Sequence, residues 1–495
     1  LLSEVEPSRL TVAKAIDPKK KSQYGQFFTP AEIARFMAGL FTQKSGNNCR
    51  LLDAGAGIGS LSVAFLERWT GGGFDCPRIE VDAFEIDECL HSYLIQSLEE
   101  YGRYPNVASN IRGDDFVYAA VASLSGDLFA EALPRYTHAI LNPPYKKIRS
   151  CSLYRSALRR VGIETVNLYS AFVALSLSLL EDYGQLVAIV PRSFCNGPYY
   201  RPFREYVLER AAILQIHLFA SRNKAFKDDE VLQENVIITL ERGTSQGNVT
   251  VTTSTDASFA DMETNEYSFD RIVFPGDPER FIHVPTSPEF SAIERSRAIR
   301  FTLDDIGIKV STCPVVDFRL KEYLRTMPDA DTVPLLYPGH FKGQTTDWPN
   351  PELKKPNAIC RNAETEKWLY PSGFYCVVRR FSSKEEKRRI VASVVTPDNF
   401  PNTEALGFEN HLNVFHEEKH GLTEALAYGL AAFLNTTAVD ENFRRFNGHT
   451  QVNATDLRLI KYPNKESLIA LGKRAIRRRE PIQALTAEQL ESLGA

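Results

Sequence analysis

Arg50-Leu-Leu-Asp53 is a short apolar run that breaks into glycine at every second position, Gly55, Gly57 and Gly59, before a helically spaced stretch, residues 60–69, takes over. Glycine adopts the positive φ of a tight turn at little cost and lets a backbone pass close to a ligand. A strand entering a helix through such a turn therefore constrains the fold more than any other stretch. The alternation continues along the chain. Strand-like patterns cover 79–85, 107–112, 136–141, 185–190, 213–219 and 235–240, and helix-like patterns cover 87–101, 168–180 and 201–210. This predicts an α/β fold with a doubly wound, mostly parallel sheet. The strands near Leu218 and Ile238 predict an antiparallel edge hairpin with 221–233 as its loop.

Near Arg242-Gly-Thr-Ser-Gln-Gly-Asn the pattern changes, and Pro275, Pro278, Pro285 and Pro288 mark an irregular stretch. The expected division is a ligand-binding, catalytic domain at 1–245, a linker at 246–300 and a second, α+β domain at 301–495. Residues 249–253 are nonetheless β-like. The second domain is built from short β-like runs, and its tail, with Lys473, Arg474, Arg477, Arg478 and Arg479, reads as a solvated basic helix.

Net charge is −4, but residues 300–479 hold 27 basic and 22 acidic side chains, so a local positive surplus sits on an acidic protein. No apolar stretch reaches the ~20 residues that a bilayer span needs. The opening Leu-Leu-Ser-Glu-Val-Glu is not a secretion signal, and it lacks a starting Met, so a chain trimmed at that end is expected. The eight cysteines include no Cys-x-x-Cys pair. A disulfide framework or structural zinc is not expected, and a reducing, cytoplasmic setting fits.

The Gly-x-Gly-x-Gly spacing is not the dinucleotide fingerprint, and no Lys-Ser/Thr follows to grip phosphate. Asp53 just before the turn suits an amine-bearing, cationic ligand, and S-adenosylmethionine is such a ligand. Glu85, ending the next strand, is placed to accept both hydroxyls of a ribose; Asp87 reads as a helix N-cap. Gly113-Asp114-Asp115-Phe116 ends the third strand. Asp114 is the choice to accept from an adenine amino group, Phe116 to lie against the ring, and Asp115 alternatively caps a helix.

Asn142-Pro143-Pro144-Tyr145 follows the fourth strand. Two prolines fix the backbone and remove two amide donors. The Asn side-chain oxygen and a prolyl carbonyl are then two acceptors for one planar amino group, with Tyr145 as a stacking face. That combination suits methylation of an exocyclic or amide nitrogen. Earlier in the chain, Thr29-Pro30 before Ala31-Glu32-Ile33 reads as an N-cap with Pro at the first helical position.

Gly-Gln-Phe-Phe-Thr-Pro, then Asp-Ala-Gly-Ala-Gly-Ile-Gly, then Asn-Pro-Pro-Tyr, in that order, resembles the γ class of DNA amino-methyltransferases. These are the TaqI-like adenine-N6 methyltransferases of bacterial type II restriction–modification systems. The resemblance implies a Rossmann-like, S-adenosylmethionine-dependent domain followed by a target-recognition domain that binds double-stranded DNA. It implies that Thr29 and Pro30 line the methionine end of the cofactor. Asp53, Ala54, Gly55 and Gly57 hold its amino-acid part, Glu85 the ribose, and Asp114 with Phe116 the adenine. Asn142, Pro143 and Pro144 present the target amino group. Tyr145 stacks on a flipped base, with Phe226, or alternatively Phe219, on the other side. Leu336–Phe341, His411–His416 and Asn447–Asn453 resemble segments of the recognition domain in a XhoI-like branch.

A base inside a duplex hides its amino group, so such an enzyme must flip it out. Phosphate contacts supply affinity, and base-edge contacts from 300–460 supply reading. Arg379, Arg380, Arg388, Arg389, Arg444 and Arg445 are candidates. No nuclease signature is visible, so a separate cognate restriction endonuclease is the expected counterpart. Cytosine N4, guanine N2 of ribosomal RNA and a release-factor glutamine make the same demands on an amino-binding loop. A non-catalytic DNA-binding subunit is the rival of a different class.

Overall fold

The computed structural model describes residues 2–15, 28–42, 48–73, 75–219, 234–285, 293, 296, 298–342, 345–382, 386–447 and 451–478. The chain divides into two compact units, Leu1–Pro288 and Glu289–Ala495.

In the first unit the strands are β1 (Cys49–Ala54), β2 (Ile79–Phe84), β3 (Val107–Arg112), β4 (Tyr136–Leu141), β5 (Leu180–Pro191), β6 (Ala211–Phe219), β7 (Asn235–Arg242), β8 (Val249–Ser254) and β9 (Glu263–Tyr267). Among the described residues they form one sheet in the order β3-β2-β1-β4-β5-β7-β6-β8-β9. β1 to β5 run parallel, and β7 lies antiparallel between β5 and β6. The helices are α1 (Leu2–Ala15), α2 (Ala31–Gly39), α3 (Ser60–Thr70), α4 (Glu88–Glu99), α5 (Phe116–Ser125), α6 (Leu153–Arg160), α7 (Leu168–Leu179) and α8 (Arg201–Arg210). They cover both faces. Leu52 and Leu141 point into one buried cluster with Phe116 and Val173, while Leu51 and Ile140 point into another with Val63 and Phe65. A strand buried on both faces has no polar side, which is why the apolar Leu51 and Leu52 follow one another in β1.

Two expectations are corrected. The β6–β7 pair is antiparallel, but it is not the edge. β8 adds parallel to β6, and β9 adds antiparallel to β8. Residues 249–254 and 263–267 are thus strands of this sheet and not linker. The change of pattern at 242–248 is a crossover connection, because Val249 and Val251 beyond it supply a buried apolar face.

The second unit contains a four-stranded antiparallel sheet, ordered Lys309–Thr312, Leu412–His416, Tyr375–Arg379, Ala392–Val395, and a five-stranded sheet of still shorter strands. Its helices are α9 (Glu424–Leu434), α10 (Thr437–Phe446), α11 (Ala454–Leu459) and α12 (Lys465–Arg478). The expected solvated basic helix is corrected as well. α12 buries Leu468 and Leu471. It crosses α9 so closely that a Cβ on Gly429 would strike the Leu468 carbonyl and one on Gly472 the Ala425 carbonyl. Lys473, Arg474 and Arg477 keep to the exposed face. Glycines and leucines between the charges provide the buried side.

Candidate active site at the carboxyl ends of β1, β2 and β4

The sheet order reverses between β1 and β4, and an open α/β sheet binds ligands outside its strand ends at such a point. Gly55, Gly57 and Gly59 all have positive φ, at 82°, 58° and 89°. A Cβ on Gly59 would lie 2.9 Å from Leu94 Cδ1, so the turn into α3 is closed to larger residues.

Asp53 is fully buried. Its Oδ2 accepts from the Ser62 amide at 3.2 Å and the Ser62 hydroxyl at 2.7 Å, whereas Oδ1 is buried with no protein partner. Burial pushes the Asp53 carboxyl up to about 7, with the Ser62 hydrogen bonds opposing and the Glu85 charge adding. Glu85 ties β2 to the glycine turn: Oε2 accepts from the Gly57 amide at 2.8 Å and Oε1 from the Asp87 amide at 2.7 Å. Burial raises this carboxyl too. Asp87 caps α4 through the Cys89 amide. Asp115 caps α5 through the Val117 amide and accepts from the Tyr154 hydroxyl. That leaves Asp114 as the exposed carboxylate of the pair. Phe116 is buried between Phe84 and Phe172, at ring distances of 5.2 and 5.0 Å.

The Asn142–Tyr145 loop stands beside the glycine turn. The position of a Cβ on Gly55 is 4.0 Å from both the Asn142 carbonyl oxygen and Pro144 Cδ, and 3.7 Å from Phe172. Asn142 Nδ2 donates to Thr29 Oγ1 at 3.0 Å, which leaves Oδ1 as the acceptor end of the amide. Pro143 is buried and Pro144 half-buried. The Tyr145 hydroxyl donates toward two acceptors, the Ile189 carbonyl at 3.3 Å and Asn142 Oδ1 at 3.4 Å. Its ring meets Tyr169 edge-on at 6.1 Å.

Thr29 is not the N-cap it resembles. Pro30 holds that position without a side-chain cap, and the Ala31 amide donates instead to Glu6 Oε2 of α1 at 3.0 Å. The Thr29 hydroxyl is thereby left for Asn142. The sheet end thus gathers Thr29, Asp53, Ala54, Gly55, Gly57, Glu85, Asn142, Pro143, Pro144 and Tyr145 through these contacts. Phe226 lies outside the described residues. Phe219 is buried with Phe259 and His217, in the cluster on the opposite side of the sheet from the one Tyr145 packs against, so it offers no face to a base. Ser62, Phe172 and Ile86 escape motif reading. Ser62 and Phe172 carry no signal in the sequence, whereas Ile86, 44% exposed directly after Glu85, is an apolar residue where a polar loop is the norm.

In the second unit most candidates serve the fold. Arg389 is fully buried, donating to Ser382 Oγ at 3.1 Å and Asn447 Oδ1 at 2.9 Å. Arg388 donates to the Asn435 carbonyl, Arg379 pairs with Glu386, and Arg444 pairs with Asp440 at 2.7 Å. Arg445 is half-buried, and Arg380 donates to Gln451 Oε1 at 3.2 Å. His340 bridges the Tyr337 amide and Asn357, and His416 bridges Ser311 and the Lys419 amide. Asn447 and Asn453 both engage Asp456. Residues 448–450 lie outside the described residues. Among the described residues no helix is long and apolar enough to cross a membrane.

The sheet is an open α/β sheet with parallel β1 to β5 and the antiparallel β7 inserted between β5 and β6. The chain is 53% identical to the type II methyltransferase M.BsuBI of Bacillus subtilis over 100% of this chain and 98% of that one. It is 42% identical to the type II methyltransferase M.PstI of Providencia stuartii over 94% and 92%. The family model described as Eco57I restriction-modification methylase matches residues 134–226. The chain belongs to the type II methyltransferases of restriction–modification systems and is a DNA methyltransferase. Among solved structures, the type IIG restriction endonuclease BpuSI aligns at 14% identity over 98% of this chain and 67% of that one, with a TM-score of 0.46, a loose likeness.

Proposed function

We propose that the chain methylates adenine N6 in a short double-stranded DNA sequence, using S-adenosylmethionine and a flipped base, and protects that sequence from a separate cognate endonuclease. The observation that carries this reading is the Asn142 amide, turned by Thr29 so that Oδ1 accepts, beside a diproline backbone and one glycine turn away from Asp53.

The residues suit the cofactor. The partnerless Oδ1 of Asp53 is a buried acceptor for an ammonium group, and Gly55 and Gly57 leave room beside it. Glu85, its carboxylate held by two backbone amides, keeps lone pairs for ribose hydroxyls. Asp114 and the exposed Ile86 flank the adenine position, whereas Phe116 supports that position from the core. When bound, S-adenosylmethionine supplies an electrophilic methyl group.

Asn142 Oδ1 and the Pro143 carbonyl accept the two N–H bonds of the target amino group and aim its lone pair. Oriented acceptors of this kind act most strongly where water is excluded. Tyr145 lies against the base, and stacking offsets about 1–3 kcal/mol of the cost of flipping. The second unit is the target-recognition domain of this reading.

Modification mapping at single-base resolution, on DNA from cells expressing the chain, tests it. N6-methyladenine confined to one short sequence is expected. N4-methylcytosine in its place would transfer the reading to cytosine, and unmodified DNA from cells holding folded, cofactor-binding protein would overturn it.

A further inference from the structure

One end of the four-stranded sheet carries two partly exposed rings, those of Phe381 and His411. Tyr375–Arg379 and Leu412–His416 pair with Arg379 opposite Leu412, so the next step outward sets Arg380 beside His411, joined by the Arg380 amide and the His411 carbonyl at 2.8 Å. Phe381 follows, 40% exposed, its ring 4.8 Å from the His411 ring. Arg380 braces the corner, donating to the Asn410 carbonyl and to Gln451, each at 3.2 Å.

Beneath them lies Glu409, fully buried, whose two oxygens face the ring Nδ1 of His411 at 2.6 Å and its amide at 2.9 Å. A buried carboxylate is costly unless it is hydrogen-bonded, and both of these bonds go to one half-exposed histidine. A carboxylate only accepts, so Nδ1 carries the proton, and both the tautomer and the ring orientation are set. Nε2 has no protein partner among the described residues. The other described histidines of the resembling segments, His340 and His416, have both ring nitrogens engaged inside the fold.

We propose that His411 and Phe381 read one base step of the target duplex, with Glu409 as the positioning residue; this rests on the target-recognition reading of the second unit. Phosphate is usually met by long, flexible cations, whereas a ring locked by a buried carboxylate is suited to a base edge. A neutral ring presents Nε2 as an acceptor for the amino group of adenine or cytosine, and a protonated ring presents a donor for guanine. Phe381 supplies the apolar contact alongside.

The test uses the full chain. Mapping first gives the modified sequence. Methylation of duplexes carrying that sequence, and of duplexes with each base pair changed singly, is then measured for the parent, H411N, F381A and E409Q, with thermal melting as the folding control. The expected result is that discrimination falls about tenfold at one base pair or its neighbour, is unchanged elsewhere, and is accompanied by an unaltered melting temperature. H411N and F381A, at exposed positions, keep the test decisive if E409Q folds poorly. Unchanged discrimination at every position overturns the proposal. So does uniform weakening with a shallower salt dependence, which marks a phosphate contact. A parent that modifies no adenine in duplex DNA removes the functional reading itself, and the proposal with it.

Discussion

The strand ends of the first unit and the short-stranded second unit both hold many buried polar side chains, but those groups are engaged differently. Asp53 is buried with one oxygen held by Ser62 and the other open, and Asn142 donates to Thr29 with its oxygen turned toward the Tyr145 hydroxyl at the strand end. In the second unit, Arg389 spans Ser382 and Asn447, the Asp440 carboxylate caps the amides of Arg389 and Ile390, and Asn357 ties His340 to neighbouring backbone. Polar groups that span two segments replace missing sheet and helix. Neither burial nor an open valence alone marks a site, since Asp456 Oδ1 in the second unit is also buried without a partner; Asp53 is set apart by the glycine turn and the Asn142 loop beside its open oxygen.

The strongest way to break this comparison is Asn142→Ala. Methyl transfer should fall at least about 100-fold, with DNA binding and melting temperature near the parent's. A large drop in melting temperature would place Asn142 among the scaffolding residues. Gly429→Ala should do the reverse. The added methyl meets the Leu468 backbone, and thermal or urea unfolding should show a loss on the order of 3 kcal/mol, with methylation retained at low temperature.

Asp53→Asn sharpens the comparison through pH. Burial pushes the Asp53 carboxyl from its ordinary 3.8 up to about 7. The folded, cofactor-free protein binds this proton more tightly than the unfolded chain, so the group's contribution to stability is lost as pH rises from 3.8 through about 7. An ammonium ligand needs the ionised form. Calorimetric affinity for S-adenosylmethionine should therefore climb as pH rises to about 7 and level above it, and Asp53→Asn should flatten the profile and weaken binding about tenfold. An unchanged profile in Asp53→Asn would detach the open oxygen from the cofactor. The smallest effect is expected of Thr29→Val, which frees the Asn142 amide to rotate: kcat falls about fivefold with KM for DNA unchanged.

How far each region was legible follows from the same contrast. The glycine turn and the diproline loop are backbone features, and only Gly and Pro impose them, so the sequence shows them openly. β3, β4 and α8 carry simple periodic patterns, and their predicted and observed bounds coincide. β8 reads as β-like at 249–253, but the polar 242–248 crossover resembles a domain boundary in composition and so separates it, and β9 beyond it, from the sheet. Thr29 looked like a helix cap because the local pattern is that of a cap. The residue that satisfies the helix, Glu6, arrives from another helix and leaves no local trace. In the second unit, the strands are too short for periodicity to declare them, and no pattern separates a structural histidine such as His340 from an exposed one such as His411.

The Gly429–Gly472 crossing has one further consequence. Helices that touch backbone to backbone at two small residues cannot slide past one another as leucine-faced helices do, because moving either glycine off its place drives a side chain into a carbonyl. The spacing of Lys473, Arg474 and Arg477 is therefore measured off from α9 like marks on a ruler, and these charges form a pattern fixed to the frame of the second unit.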